Sequence, residues 1–190
     1  YKTKFISQLI ENGWHGIAYA IVFTITNIFF VISIENTNVA NTLIMIALAP
    51  MLSAIISFIF LKENTDQKTW IAITITTVAV IYIFYDSFER GDVLGNFLGL
   101  VCAIGLAVGA VIIRSAKKIN LVPSAMMGKL MVTLIALLFA DNLVLKGNDS
   151  IIIPLMCIMC VAIPFVLITL APRYISAAEV NLFFLLETIL

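Results

Sequence analysis

The sequence predicts an all-α polytopic membrane protein, a bundle of seven transmembrane helices whose last member is cut short. Three observations carry this. Of the 190 residues, 62% are hydrophobic and only 12% charged, with a mean hydropathy of +1.12; soluble domains run about 45–50% apolar and about 25% charged. The apolar residues form seven long runs joined by short polar connections. The runs are continuous, whereas barrel strands would alternate inward and outward over about ten residues. A single soluble core cannot hide this much apolar surface, so water-soluble enzymes are excluded and the lipid bilayer is the first partner. Eleven basic and eleven acidic residues cancel, which removes the basic footprint of a nucleic-acid binder.

Residues 1–13 are polar and contain no short apolar stretch of a cleavable signal. The sequence opens on Tyr1 and stops at Leu190 inside an apolar run, so it is expected to be an internal portion of a longer chain. The first run, 14–34, meets the spanning requirement of about 20 residues at 1.5 Å each. It carries Asn27 and sets His15, Tyr19 and Thr26 on one stripe. The second, 39–61, gathers Asn41, Thr42, Met45, Ser53 and Ser57 near one side, below Asn38, with Pro50 midway. An interior proline frees a carbonyl and kinks the helix. Within a bilayer it is tolerated where neighbours or a watery cavity satisfy the backbone.

Polar residues 62–68 lead to the third run, 69–85. The fourth, 94–113, contains Gly95-x-x-x-Gly99 and Gly105-x-x-x-Gly109, spacings that let backbones approach closely. They read as packing glycines, not a phosphate cradle, and leave a homodimer open without requiring one. The fifth, 122–140, holds Lys129 about two turns from its start, within reach of the interface for a snorkelling stem. The sixth, 151–172, holds Pro154, Pro164 and the pair Cys157 and Cys160. With Cys102 these are the three cysteines, all in apolar runs. Lipid surroundings disfavour thiolates and nothing completes a tetrahedral site, so they read as small packing residues. No metal and no cofactor are expected.

The seventh run, 174–190, contains Glu179, Asn181 and Glu187. Ionisable groups at membrane depth are costly and mark functional paths. Glu179 lies about one turn inside its helix, where interfacial water can reach it. Glu187 lies about 13 residues in, roughly 20 Å; it is expected to face a polar cavity, a partner or a bound proton.

Alternate connections share a side of the membrane. The set formed by 1–13, 62–68, 114–120 and Arg173 holds eight basic residues, and the opposite set holds only Arg90 and Lys146. Under the positive-inside rule the first set is cytoplasmic. The catalytic motifs HExxH, GxSxG and GxxxxGK[ST] do not occur, so metalloprotease, hydrolase and nucleotide-driven pump readings have no support and no enzyme is expected.

Internal symmetry gives the remaining lead. Setting Asn38-Val39-Ala40-Asn41 over Ser176-Ala177-Ala178-Glu179, an offset of 138, pairs Ala40 with Ala178, Leu48 with Leu186 and Leu52 with Leu190. The two stretches run in opposite directions through the membrane. With these residues on the page, the chain resembles the EamA-type transporters of the drug/metabolite transporter superfamily. The helix from Asn38 through Ala47-Leu48-Ala49-Pro50 to Leu61-Lys62-Glu63 is similar to the family's small-residue helix. Gly91-Asp92-Val93-Leu94-Gly95, followed by Arg114, resembles the opening of its second repeat, and Tyr174 through Glu187 resembles a later helix. Lys62 stands where the family usually has glycine, Thr188 where proline often follows, and Ile71 where glycine is common.

The resemblance implies ten helices in two inverted five-helix repeats. Residues 1–86 would then be helices three to five, and 92–190 helices six to nine with the ninth partial, so two opening helices and the closing one would lie outside the sequence. It also implies a secondary transporter of a small metabolite or drug-like solute, working by alternating access in the inner membrane, with proton coupling as an option. The residues expected to line its cavity are Tyr19, Asn27, Asn41, Thr42, Pro50, Glu179, Asn181 and Glu187. The competing reading is a non-transporting structural or assembly subunit whose helices only pack.

Overall fold

The computed structural model describes residues 2–84, 93–140, 147 and 149–187, and every regular element among them is helical. Before the first apolar run, residues 2–11 form helix α1 (Lys2–Glu11), in which Phe5, Ile6, Leu9 and Ile10 recur at helical spacing. Gly13, at φ +46°, makes the junction to α2 (Gly13–Asn36) in a left-handed conformation open to glycine. The second run splits into α3 (Val39–Ile46) and α4 (Ala49–Leu61). The cause is Pro50: it has no N–H for the Ile46 carbonyl, and its ring crowds that position, so it sits in the first turn of a new helix. After α4, Lys62 takes a left-handed φ of 54°, a conformation that favours glycine at helix ends.

There follow α5 (Gln67–Phe84), α6 (Val93–Ser115) and α7 (Val122–Phe139). Then α8 (Asp149–Met156) passes through a π-helical stretch, Cys157–Ala162, into α9 (Ile163–Leu170). Pro164 cannot donate to the Cys160 carbonyl, which favours the wider turn just before it. A 3-10 turn, Ala171–Arg173, precedes α10 (Ala177–Glu187). Five stretches among the described residues are long and apolar enough to cross a membrane: Gly13–Asn36, Val39–Leu61, Val93–Ser115, Val122–Phe139 and Ser150–Arg173. The other two expected crossings fall on α5 and α10, which meet α4 through Ala54, Ile73 and Ala178.

The axis of the bundle is the pairing of α2 with α6. Gly95 lies against Thr37, Gly99 against Ser33 and Met45, Gly105 against Thr26, and Gly109 against Tyr19. Ascending α6 descends α2, so the two helices are antiparallel and all four glycines of the repeated spacing face partners in the same chain. Ser33 Oγ donates to the Gly95 carbonyl at 2.8 Å, and Cys102 Sγ lies 3.5 Å from the Thr26 carbonyl. α7 joins from the other side, where Asn12 Nδ2 donates to Ser124 Oγ at 2.9 Å.

The connections counted as basic do meet at one end. Arg114 Nε donates to the Glu63 carboxylate at 3.0 Å, Arg173 Nε to the Lys117 carbonyl at 3.0 Å, and Asn120 Nδ2 lies 3.5 Å from Gln8 Oε1. The expected repeat boundary at 86–92 lies outside the described residues.

Candidate functional site

Beside the contact of α2 with α6, the helices α2, α3, α6, α7, α9 and α10 line a half-open cavity of about 510 Å³. Small-ligand pockets run about 300–1,000 Å³, mostly apolar with a few placed polar groups. This one follows that pattern: an aromatic and aliphatic wall, interrupted by Tyr19, Thr26, Asn27, Lys129 and Asn181.

Asn27 sits near the middle of the 24-residue α2, roughly 20 Å from its start. Its Nδ2 donates to the Phe23 carbonyl at 2.8 Å, one turn back, which turns Oδ1 toward the cavity. Lys129 Nζ donates to that oxygen at 3.5 Å. The same ammonium lies 5.0 Å from the Phe23 ring centroid and 4.9 Å from that of Phe165, within the range of cation–π attraction. Lys129 therefore does not snorkel toward the interface. Two aromatic faces and an amide oxygen replace water for it at mid-depth. The rings of Phe23 and Phe165 are themselves in contact, 4.7 Å between centroids.

On the facing helix, Asn181 is 1% exposed and its Nδ2 has no hydrogen-bond partner among the described residues. An unpaired donor at that burial carries a desolvation penalty of about 1–3 kcal/mol, and here it borders the empty space.

Of the residues expected at the site, Tyr19, Asn27 and Asn181 line the cavity. Asn41, Thr42 and Pro50 are buried behind it. Thr42 Oγ1 shares a 2.8 Å hydrogen bond with Ser33 Oγ, and Asn41 Nδ2 donates to Thr37 Oγ1 at 3.1 Å. The face of α3 that reaches the cavity is instead Leu43 and Ile46. Glu179 caps α10: its Oε2 accepts from the Ser176 N–H and hydroxyl, each at 2.8 Å, while Ser176 Oγ accepts from the Glu179 N–H at 3.2 Å. This is a reciprocal capping box. Glu187 ends α10 one turn beyond Phe184; its side chain lies outside the described residues.

Sequence reasoning missed Phe23 and Phe165 as cavity residues; Thr26 stood on the polar stripe of the first run and Lys129 at membrane depth, but neither was in the expected lining. Tyr19, Phe23 and Asn27 recur at i, i+4 and i+8, and that signal was available on α2. No comparable signal tied Lys129 to Phe165, because their contact joins two helices far apart in sequence.

Residues 3–85 match the model of the EamA-like transporter family. That stretch, somewhat less than half of the chain, is similar to the family. The EamA-like stretch runs from α1 to α5 and supplies the α2 and α3 walls of the cavity. It also contains Glu63, which pairs with Arg114 beyond it. A solved structure titled only as the crystal structure of a protein superposes with a TM-score of 0.75 over 95% of this chain and 69% of that one, at 15% identity; that likeness shows the fold. No curated protein matches the chain. The match over residues 3–85 and the five apolar helices long enough to span a bilayer point together to a multi-pass membrane protein of the transporter type.

Proposed function

We propose that the chain is the core of a secondary transporter that moves a small metabolite or drug-like solute across the inner membrane by alternating access around the cavity between α2 and α10. The observation that carries this reading is the cavity itself, whose wall carries the Asn27–Lys129 pair at mid-depth and Asn181 nearer the start of α10, from either side of the expected repeat boundary. Two further features support it. Two of the apolar runs are interrupted within their length, at Ala47–Leu48 and at Cys157–Ala162, and non-regular backbone at membrane depth is tolerated where it is buried in protein or lines a cavity. Asn38 and Ser176, equivalent under the 138-residue offset, both place a side-chain oxygen as the cap of the helix that follows.

Within this reading Glu187 is the proton-carrying or substrate-binding acid, since its position repeats the helical register of Val180 and Phe184, both lining residues. Replacement by Gln keeps the shape and removes the titration. A coupling role requires that Glu187→Gln abolish gradient-driven transport with the protein still inserted; unchanged transport rejects it. The transporter reading itself is tested by water access. A cysteine at Asn27, with Cys102, Cys157 and Cys160 replaced by alanine, is expected to react with a membrane-impermeant maleimide. A subunit whose helices only pack would leave that position dry and unreactive.

A further inference from the structure

Two side chains on the cavity wall have N–H donors to spare, the Lys129 ammonium and the Asn181 amide. The Lys129 ammonium has three N–H donors, of which one is given to Asn27 Oδ1 at 3.5 Å. Asn181 Nδ2 offers two more and has no partner among the described residues. The natural acceptor, Asn27 Oδ1, is already engaged by Lys129. Lys129 is also the one charged side chain among the described lining residues, which include no carboxylate. A positive charge with spare donors, in an enclosure of four phenylalanines (Phe23, Phe30, Phe165 and Phe184), calls for an anion to complete it.

We infer that the transported solute is an apolar or aromatic monocarboxylate, whose carboxylate is held by Lys129 and the Asn181 amide while its hydrocarbon part fills the aromatic wall. This rests on the transporter reading above and names its substrate class. One cation favours a single negative charge. The cavity volume of about 510 Å³ suits a solute of drug-like size or smaller. Carboxylate oxygens accept charge-assisted hydrogen bonds about twice as strong as neutral ones, so a neutral amide of the same shape would bind less well. An amine would be repelled by Lys129.

The test compares three probes of one shape on the full chain in nanodiscs: radiolabelled 3-phenylpropionate, competed by its amide, 3-phenylpropionamide, and by the amine, 3-phenylpropylamine. The expected result is saturable binding of the carboxylate, at least tenfold tighter than the amide, with no competition from the amine. Lys129→Gln should erase the preference for carboxylate over amide, and Lys129→Arg should keep it. The wild-type comparison decides the matter even where a variant does not insert. Amide or amine binding equal to or tighter than the carboxylate overturns the inference, as would happen if Glu187 supplied the counter-charge to Lys129. Absence of binding by all three overturns it as well. The transporter reading is judged apart from any ligand, by the reactivity of a cysteine at Asn27: labelling there with a failed probe series rejects only the monocarboxylate.

Discussion

A methyl group added at Gly105 tests whether the contact of α2 with α6 sets the shape of the bundle. A Cβ built there would overlap Thr26 Oγ1 and lie 3.2 Å from Thr26 Cβ and 3.4 Å from its Cγ2. Threonine cannot swing away cheaply, because its χ1 is stiff in a helix and Oγ1 donates to the Val22 carbonyl at 2.7 Å. Gly105→Ala must therefore either break that bond and rotate Thr26, or push the helices apart. Overpacking of this kind costs about 1–3 kcal/mol, which for a chain of this size lowers Tm by roughly 3–10 °C. Thr26→Ala removes the hydroxyl that a Cβ at position 105 would overlap, together with its bond within α2 to the Val22 carbonyl, and leaves only the 3.2 Å approach to the Cβ of residue 26, which a shift of a few tenths of an ångström relieves. The double variant Gly105→Ala/Thr26→Ala is thus expected to melt closer to Thr26→Ala than Gly105→Ala melts to the wild type. The assay is thermal unfolding of the four proteins in one detergent, arranged as a double-mutant cycle. A Gly105→Ala protein as stable as the wild type, or one that Thr26→Ala does not rescue, would refute the reasoning.

Two other outcomes follow from residues on the page. Lys62 holds a φ of 54°, which for a residue with a Cβ costs about 1–2 kcal/mol, while glycine adds back about 0.5–1 kcal/mol of chain entropy; Lys62→Gly should raise Tm by a few degrees, and a fall would contradict the strain. With the eight-to-two distribution of basic residues, cysteines at Thr65 and Asn148 in a cysteine-free chain should label from opposite faces. An external reagent that reached position 65 and spared 148 would show the orientation to be inverted.

Five of the seven expected crossings were legible because a helix in lipid must satisfy its own backbone bonds, so length and hydropathy declare it. The close approach of α6 was legible in its glycines for the same reason, although not the identity of its partner α2. Asn41 and Thr42 carried a true signal, polarity on a buried helix, yet it marked hydrogen bonding to Thr37 and Ser33. From sequence, a polar group that faces a cavity and one that satisfies a neighbour look alike. Glu179 shows the limit in another form. Its spacing from Ser176 is that of a capping box, a local rule that competes with any reading from depth. Lys129 was read by its distance from the helix start, whereas its actual surroundings, Phe23 and Phe165, come from chain segments more than 30 residues away on either side.

The central claim is that the cavity opens in turn to each side, with Glu63 and Arg114 tying the halves at the end its basic residues assign to the cytoplasm. The pair lies at 3.0 Å with the two side chains 35% and 18% exposed, so breaking it should bias the conformations without unfolding the chain. The direct measurement is the ratio of labelling from outside to labelling from inside at a cysteine replacing Asn27, in oriented vesicles, with and without Glu63→Gln. The account predicts labelling from both faces and a shift toward the cytoplasmic face in Glu63→Gln. Labelling from one face only, unmoved by Glu63→Gln, would contradict it.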